Sequence, residues 1–305
     1  MAVDVYHEGE RAAQRRAGLL DQGGFSGRAI RSEMPEVARK FLLQQPMLVL
    51  GAADTDGRLW ATLLTGQPGF LHAEDTGTLT IDTRPAAGDP LHDRLRTPVP
   101  VGLLAIEPSR HRRMRVNGQA VPTELGLEVK LDQVYSNCPK YIQKREHRWE
   151  PSAARGRPQR SGALTGHQQR WITGADTFFI ATADREGNTD ASHRGGNPGF
   201  VEVVSPTVLR WPDYVGNAMF NTLGNLEVNP RAGLLFIDWT TGAVLHLTGT
   251  ARTDWDPAHA AAVPGAERLV EFTITEAIEI AAAVPLRWSD PVASRFNPPV
   301  LQGGS

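Results

Sequence analysis

A His-Arg pair followed by glycine lies in the second half of the sequence, within the segment Ser192-His193-Arg194-Gly195. A second polar stretch, 211–225, is rich in amide, hydroxyl and glycine residues. Such groups donate hydrogen bonds to anions, and glycine lets a ligand approach the backbone closely. The two segments together indicate a binding site for a negatively charged ligand.

The sequence contains an internal repeat, and these polar residues lie in its second copy. Gly66-Gln67-Pro68-Gly69-Phe70 matches Gly196-Asn197-Pro198-Gly199-Phe200 at an offset of 130 residues, and Ala53-Asp54 matches Ala183-Asp184 at the same offset. The run at 102–107 matches 233–238 at an offset of 131. A nearly constant offset over roughly 85 residues indicates a duplication of one structural unit.

The two copies differ where the polar residues lie. Leu63-Leu64 stand at the positions of His193-Arg194. The first copy instead ends in a basic run, 135–145, whose counterpart at 277–283 is mostly apolar. The second copy therefore has a polar front, residues 192–195 and 211–225, and the first copy has a basic tail, residues 135–145. If the copies pair, we expect the polar front and the basic tail to line one cleft. We expect the equivalent second cleft to lack these polar residues.

Short strands separated by turn signals are predicted in each copy. The predicted strands are 47–52, 78–81, 101–106, 128–134, 177–181, 201–204, 234–237, 244–248 and 271–274. Asp56-Gly57 and Glu186-Gly187 are hairpin signals. Short helices are expected to start near Ser32, before Pro35, and at Thr165, which forms a capping-box pattern with Gln168. These features predict a mainly β protein with a barrel or sandwich in each copy.

Composition excludes several classes of protein. The chain of 305 residues has 40% hydrophobic and 22% charged residues and a formal net charge of −2, which gives no case for nucleic acid or an acidic membrane. It has one cysteine, no signal-peptide pattern and no apolar run long enough to span a membrane. We therefore expect a cytoplasmic protein. The spacing of its nine histidines and single cysteine predicts no metal site.

Four motifs together resemble the pyridoxamine 5′-phosphate oxidase-like, FMN-binding split-barrel superfamily. They are Ser-His-Arg-Gly-Gly-Asn-Pro-Gly-Phe (192–200), Pro-Asp-Tyr-Val-Gly-Asn (212–217), Asn-Pro-Arg-Ala-Gly-Leu-Leu-Phe (229–236) and Asn-Cys-Pro-Lys (137–140). The resemblance implies two tandem split β-barrels that pair within one chain and bind FMN at their junction. It divides the chain into an N-terminal extension (1–30, helical in part around 10–20), a first barrel (31–149), an exposed linker (150–162) and a second barrel (163–305).

The same resemblance assigns the cofactor contacts. Ser192, His193, Arg194 and Gly195 would lie along the ribityl phosphate and the ring edge, and Lys140 would approach from the first barrel. The phosphate-side loop would hold Asp213, Tyr214, Asn217, Asn221 and Thr222.

The chain departs from the family pattern in its phosphate-side loop. Relatives usually carry Arg or Lys there, whereas this chain has Val215, Ala218 and Met219. A phosphate dianion requires charge-assisted donors for tight binding. Arg194 together with Lys140, Lys144 or Arg145 would then supply the charge.

The resemblance implies an FMN-dependent oxidoreductase that acts on a small-molecule substrate or a redox partner. The alternatives are a non-catalytic flavin-binding or electron-relay module, or a barrel that binds haem or a deazaflavin. No catalytic acid or base is predicted, and a homodimer is left open. His193 is expected either to pack in the core or to bond the flavin or substrate, and Cys138 is not expected to be a nucleophile.

A basic run of residues, 110–113 with Arg115, precedes Val116. Its position between two predicted strands makes a solvated hairpin tip the expected structure. A docking surface for an acidic redox partner or a nucleic acid is the alternative.

Overall fold

The computed structural model describes residues 5–150 and 154–300. Parts of three predicted segments lie outside the described residues: the start of the N-terminal extension, 151–153 of the linker and the last residues of the second barrel. The described chain is mainly β, with two large antiparallel sheets and few helices, so the predicted fold class is confirmed.

Residues 5–150 form three helices and eight strands. The helices are α1 (Glu8–Arg16), α2 (Leu20–Gly27) and α3 (Glu36–Leu43). The strands are β1 (Met47–Ala53), β2 (Leu59–Thr65), β3 (Leu71–His72), β4 (Thr78–Ile81), β5 (Val99–Glu107), β6 (Arg112–Pro122), β7 (Leu127–Ser136) and β8 (His147–Trp149). Short 3-10 turns lie at Arg94–Arg96 and Pro108–Arg110.

Residues 154–300 form three helices and nine strands. The strands are β9 (Gln159–Ser161), β10 (Thr177–Ala183), β11 (Thr189–Gly195), β12 (Glu202–Ser205), β13 (Val208–Tyr214), β14 (Arg231–Ile237), β15 (Val244–Asp254), β16 (Ala266–Ile280) and β17 (Leu286–Trp288). The helices are α4 (Gly166–Gly174), α5 (Asn221–Val228) and α6 (Pro257–Ala261).

The two large sheets have the same strand order. The first runs β2-β1-β5-β6-β7-β4-β3 and the second β11-β10-β14-β15-β16-β13-β12, so each strand of the first has a counterpart in the second. The registers agree as well, since Gly51 pairs with Gly102 in the first sheet and Ala181 pairs with Gly233 in the second. This one-to-one match is what the repeat in the sequence predicts.

Matching glycines bring the two sheets into contact. A Cβ added to Gly102 would lie 2.5 Å from the Cα of Asp190, and one added to Gly233 would lie 2.5 Å from the Cα of Trp60. Trp60 and Asp190 are themselves equivalent under the offset of 130 residues. The same contact is thus made twice, as a pseudo-twofold axis between the barrels requires. One buried apolar cluster continues across this interface and includes Leu50, Leu104, Phe179 and Leu235.

Three local predictions need correction or refinement. Helix α3 begins after Pro35 rather than near Ser32, because proline supplies the extended residue before the first turn. The linker is not simply exposed, since β9 within it pairs with β16 at the sheet edge. The predicted N-terminal helix is two helices, which separate at Gly18 in the left-handed conformation (φ 71°). The capping box of Thr165 and Gln168 is confirmed at α4.

Across 5–150 and 154–300, none of the helices combines the length and apolar character needed to span a membrane. In the same residues, no group of three or more His, Cys, Asp or Glu side chains is placed to hold a metal ion.

Candidate functional site

A cavity of about 300 Å³ lies between the two barrels and is lined by residues of both. It contains every predicted site residue except Ser192. The predicted residues that line it are Lys140, His193, Arg194, Gly195, Asp213, Tyr214, Asn217, Asn221 and Thr222. Ser192 is buried behind the wall, where its hydroxyl contacts Thr222 Oγ1 at 2.8 Å and Asp190 Oδ2 at 3.1 Å. The structure therefore brings the polar front and the basic tail together, as the asymmetry of the copies predicts.

Arg113 and Arg115 also line this cavity, and the sequence analysis missed them. The expected solvated hairpin tip is wrong for both, because the turn ends at His111. Strand β6 starts at Arg112, and side chains two positions apart on a strand share a face. Arg113 and Arg115 therefore point the same way, toward β11 of the other barrel. This spacing of two residues was the feature of the sequence that could have predicted a shared face for Arg113 and Arg115.

His193 and Arg113 contact each other within the cavity. Arg113 Nη1 lies 2.8 Å from His193 Nδ1. A guanidinium can only donate, so Nδ1 is the acceptor and the ring proton of neutral His193 lies on Nε2. Burial lowers the pKa of His193 well below its usual value, and the charge of Arg113 lowers it further. His193 thus presents a buried Nε2–H with no partner among the described residues.

His193 is expected to remain the neutral Nε2–H tautomer at pH values where an ordinary histidine is protonated, because burial and the charge of Arg113 lower its pKa. Nitrogen NMR of the histidine rings measures both the tautomer and the titration. Exposed His259 serves as the internal control, because its bond to Asp254 raises its pKa and it should titrate above the usual histidine range. A normal titration of His193, or a proton on its Nδ1, would contradict the assignment.

Arg115 belongs to a buried ion pair at the back of the cavity. Its Nη1 lies 3.0 and 2.9 Å from the two carboxylate oxygens of Asp190. Tyr135 donates its hydroxyl to Asp190 Oδ1 at 3.2 Å, and Asn221 Oδ1 accepts from Arg115 at 3.2 Å. Burial also raises the pKa of Tyr135, which keeps the phenol neutral. The network joins β6 and β7 of the first barrel to β11 and α5 of the second.

The N-terminal extension covers the loop that follows β13. Leu19 and Gln22 line the cavity, and Ser26 donates its hydroxyl to the carbonyl oxygen of Asn217 at 2.6 Å. Helix α1 packs closely on α5, where a Cβ on Gly224 would lie 2.5 Å from the Cα of Glu10. Asn221 donates to the Glu10 carboxyl group at 2.7 Å. The extension is therefore part of the site wall.

Glu10 is expected to make the protein less stable as pH rises. Burial raises its pKa from 4.5 to about 7, so the folded state holds an extra proton between these values. The stability from that proton is complete below 4.5 and is lost as pH rises through about 7, at up to about 1.4 kcal/mol per pH unit. Urea unfolding at about pH 5 and about pH 8 should show this loss in the natural chain and not in Glu10→Gln.

Glu8→Gln is the matched control for Glu10. Glu8 lies on the same helix but is 67% exposed in its ion pair with Arg185, so its variant should keep the pH dependence of the natural chain. Buried His193 and His246 give the opposite trend, because the protein loses stability as pH falls below the usual pKa of histidine. This trend is the same in the natural chain, Glu10→Gln and Glu8→Gln, so it cancels in the comparison. An unchanged pH dependence in Glu10→Gln would refute the assignment.

The positive charges at the cavity are only partly neutralised. Arg268 pairs with Asp213 at 3.1 Å, and Arg115 pairs with Asp190. Within the described chain, Arg113 and Arg194 have no ion pair with a carboxylate. Arg194 Nη1 donates to the carbonyl oxygen of His193 at 3.1 Å, and burial lowers its pKa. Burial, with the charges of Arg115 and Arg194, lowers the pKa of Arg113 to about 9. Two partly buried guanidiniums thus face the same cavity without a direct ion pair in the described chain, although the charge of Asp213 attracts Arg194.

Two predicted sources of charge do not serve the cavity. Arg145 forms a buried ion pair with Asp176 at 2.7 Å and lies over the ring of Trp239. Lys144 lies outside the cavity lining and is nearest to Glu146, at 3.9 Å. Arg113 replaces them as the second cation beside Arg194.

The tail of the first barrel closes one side of the cavity. The Tyr141 carbonyl packs against Gly195, where a Cβ would not fit. Tyr141 has a left-handed backbone (φ 65°), its hydroxyl donates to the carbonyl oxygen of Val215 at 3.0 Å, and its ring lies 5.2 Å from that of Tyr214. Gly195 therefore serves the contact between barrels. Lys140 precedes this turn and reaches the cavity from the first barrel.

The equivalent positions around the pseudo-twofold axis carry no such charges. Arg113, His193 and Arg194 have Val244, Leu63 and Leu64 as counterparts, all of them buried in the apolar core. The counterpart of Arg115 is His246, which is buried with Nδ1 2.9 Å from the carbonyl oxygen of Ala61. The Thr62 hydroxyl bonds Asp89 beside it. Packing in the core thus replaces the polar lining at this second position.

Comparison with known proteins finds one family model that matches part of the chain. Residues 164–282 match the family model described as pyridoxamine 5′-phosphate oxidase. The second barrel is therefore similar to this family. A search among curated proteins found no match.

Three solved bacterial structures match part of the chain at low sequence identity. A variant of HupZ from Group A Streptococcus is 13% identical, with a TM-score of 0.32, over 38% of this chain and 98% of that one. An FMN-binding protein from Syntrophomonas wolfei is 11% identical, with a TM-score of 0.28, over 37% and 84%. The FAD binding protein from Mycobacterium smegmatis is 13% identical, with a TM-score of 0.27, over 41% and 97%.

Proposed function

We propose that the cavity between the barrels binds one FMN and that the protein is an FMN-dependent oxidoreductase. One observation carries the proposal: Arg113 and Arg194 face the cavity and neither forms an ion pair with a carboxylate among the described residues, although the charge of Asp213 attracts Arg194. Burying unpaired guanidiniums is costly, and a bound anion offsets that cost. A phosphate dianion matches them in charge and geometry.

Orphaned polar atoms at the cavity support the fit. Arg113 Nε, Arg115 Nε and His193 Nε2 are buried without a partner in the described chain. Buried donors are nearly always satisfied in folded proteins, so unsatisfied donors around one cavity favour a ligand that accepts hydrogen bonds. The acceptor-rich tail and ring edge of FMN provide such oxygens and nitrogens.

The roles of the residues follow from their positions. Arg113 and Arg194 hold the phosphate charge, and Asn217, Asn221 and Thr222 add neutral donors from the loop and the start of α5. Lys140 adds a cation from the first barrel, while His193 supplies a fixed Nε2–H donor. FMN, when bound, supplies the electron transfer; the chain binds it, orients it and admits a substrate or redox partner.

We also propose that the barrels arose by internal duplication and that only one of the two equivalent clefts kept its binding residues. The buried leucines and valine at the second position support this. The single cysteine excludes an intrachain disulfide, which fits a reducing, cytoplasmic location. A homodimer is not needed to complete the site, because one chain supplies both barrels.

The absorption spectrum of the purified protein, followed by FMN titration, tests the cofactor. A flavin spectrum or saturable binding of one FMN per chain is expected. A colourless protein that ignores FMN would overturn the proposal, and a Soret band would favour haem. Adding NADH or NADPH to the FMN-loaded protein then separates an enzyme, which bleaches by itself, from an electron relay, which requires a partner protein.

Cys138 provides an independent reporter of occupancy. It is the single cysteine of the chain and lines the cavity. Alkylation measured by mass spectrometry should be slowed by FMN and unaffected by riboflavin at the same concentration, because riboflavin lacks the phosphate held by the arginines. Equal alkylation with and without saturating FMN would place the flavin elsewhere.

A further inference from the structure

A second concave surface adjoins the cavity on the first barrel. This groove, of about 570 Å³, lies between α3, the hairpin of β5 and β6, and the end of β7. Phe41, Met114 and Val134 form its apolar floor, and Arg31, Arg110 and Arg112 form its rim. Its size is within the range of small-molecule sites.

The groove and the cavity are continuous. Arg113 and Asn137 line both of them. Asn137 Oδ1 and Arg113 Nε are buried without a partner within the described chain. A ligand that lies in the groove can therefore extend past Arg113 to the proposed flavin.

The groove has a strongly positive lining. Four arginines and His111 face it, and none of the described residues that line it is acidic. Glu107 is the nearest acid to the rim; it lies 3.7 Å from both Arg110 and Arg112, so one carboxylate is shared by two guanidiniums. Arg112 also lies over the ring of Phe41 at 4.7 Å. Cations next to an aromatic and aliphatic floor suit a ligand that combines phosphates with a planar ring.

We propose that this groove binds an adenosine phosphate moiety. The phosphates bond Arg31, Arg110 and Arg112, and the base packs on the apolar floor near Phe41. The moiety has two chemical sources: a pyridine dinucleotide that lies beside FMN, or the adenylate half of FAD, whose flavin half fills the cavity. Both place the adenosine end in the groove and the other end past Arg113. The assignment of the flavin end rests on the proposed function; the groove itself does not.

ADP binding by calorimetry tests the groove, with and without FMN. The double variant Arg110→Glu/Arg112→Glu should weaken ADP binding by about tenfold or more, because two charge-assisted contacts become repulsive. FMN affinity should change less than about twofold, since neither arginine lines the cavity. Both side chains are well exposed, at 66% and 44%, so the fold should tolerate the change. Arg31→Glu alone gives a second measurement if the double variant misfolds.

Arg148→Glu/Arg170→Glu is the control with the same change in net charge. Both residues are exposed and distant from the groove lining, and this variant should bind ADP as the natural chain does. FAD and NADPH titrations distinguish the two sources: loss of FAD affinity in the groove variant indicates the adenylate half, and loss of NADPH affinity in the FMN-loaded variant indicates a dinucleotide.

Absence of ADP binding, or equal loss in the control, overturns the proposal. Failure of FMN to bind while ADP still binds in the groove would refute the proposed function and leave the groove assignment standing.

Discussion

Arg194→Ala is expected to weaken FMN binding by about 1.5–3 kcal/mol, the range for loss of a hydrogen bond to a charged group. Arg194 is one of two arginines that face the cavity and form no ion pair in the described chain, and it lies at the end of β11 beside the contact between barrels. Fluorescence titration with FMN gives the dissociation constant. Arg194→Lys should recover part of the loss, since it restores the charge without the guanidinium fork.

Leu64 provides the matched control for Arg194. It occupies the equivalent position of the first barrel and is 2% exposed in the apolar core. Leu64→Met keeps the side-chain volume and should leave FMN affinity nearly unchanged. If the two variants lose FMN affinity equally, the binding residues are not confined to one of the two equivalent clefts.

Most of the fold could be predicted from the internal repeat. Matching turns at Gly57 and Gly187, both left-handed in the structure, placed the first hairpin of each copy correctly. Matching strand runs then predicted two equivalent sheets, because copies of one sequence pattern bury the same faces. The strand ends shifted by one to several residues, as in β16, which extends from Ala266 to Ile280.

Contacts distant in sequence could not be predicted from local patterns. Asn221 and Glu10 are separated by 211 residues, and no signal near either residue indicates that α1 covers the cavity. Likewise, β9 formed within a segment rich in proline and glycine because the edge of β16 offered unpaired backbone groups. Such partners are defined only when the sheets have assembled.

The basic run before Val116 shows how composition can mislead. Four arginines and a histidine close together suggest a solvated surface, yet the turn and the alternation of side chains along β6 divide them. Arg110 and Arg112 remain at the exposed rim, while Arg113 and Arg115 enter the interface with alternate spacing. Desolvation of the last two is tolerated because Asp190 pairs with Arg115 and His193 accepts from Arg113. Their partners come from the other barrel, so the first copy alone indicates that Arg113 and Arg115 share a face of β6 but not what covers that face.

Asp190→Asn is expected to destabilise the protein by about 3–5 kcal/mol, the cost of breaking a buried ion pair by removing one partner. Arg115 and Asp190 have side chains only 9% and 6% exposed, so Arg115 would be left as a buried cation with no counter-charge. Urea denaturation monitored by tryptophan fluorescence measures the change in the free energy of unfolding. Because Arg115 also lines the cavity, saturating FMN should recover part of the loss by supplying the missing negative charge.

The double variant Arg115→Met/Asp190→Leu separates the cost of an unpaired charge from the value of the pair. Replacing both partners with apolar side chains removes the uncompensated cation, so this variant should be markedly more stable than Asp190→Asn. It should also lose the stabilisation by FMN that Asp190→Asn gains, since no guanidinium remains at that point of the cavity wall. A double variant as unstable as Asp190→Asn would show that Tyr135 and Ser192, which also bond Asp190, hold the barrels together more than the ion pair does.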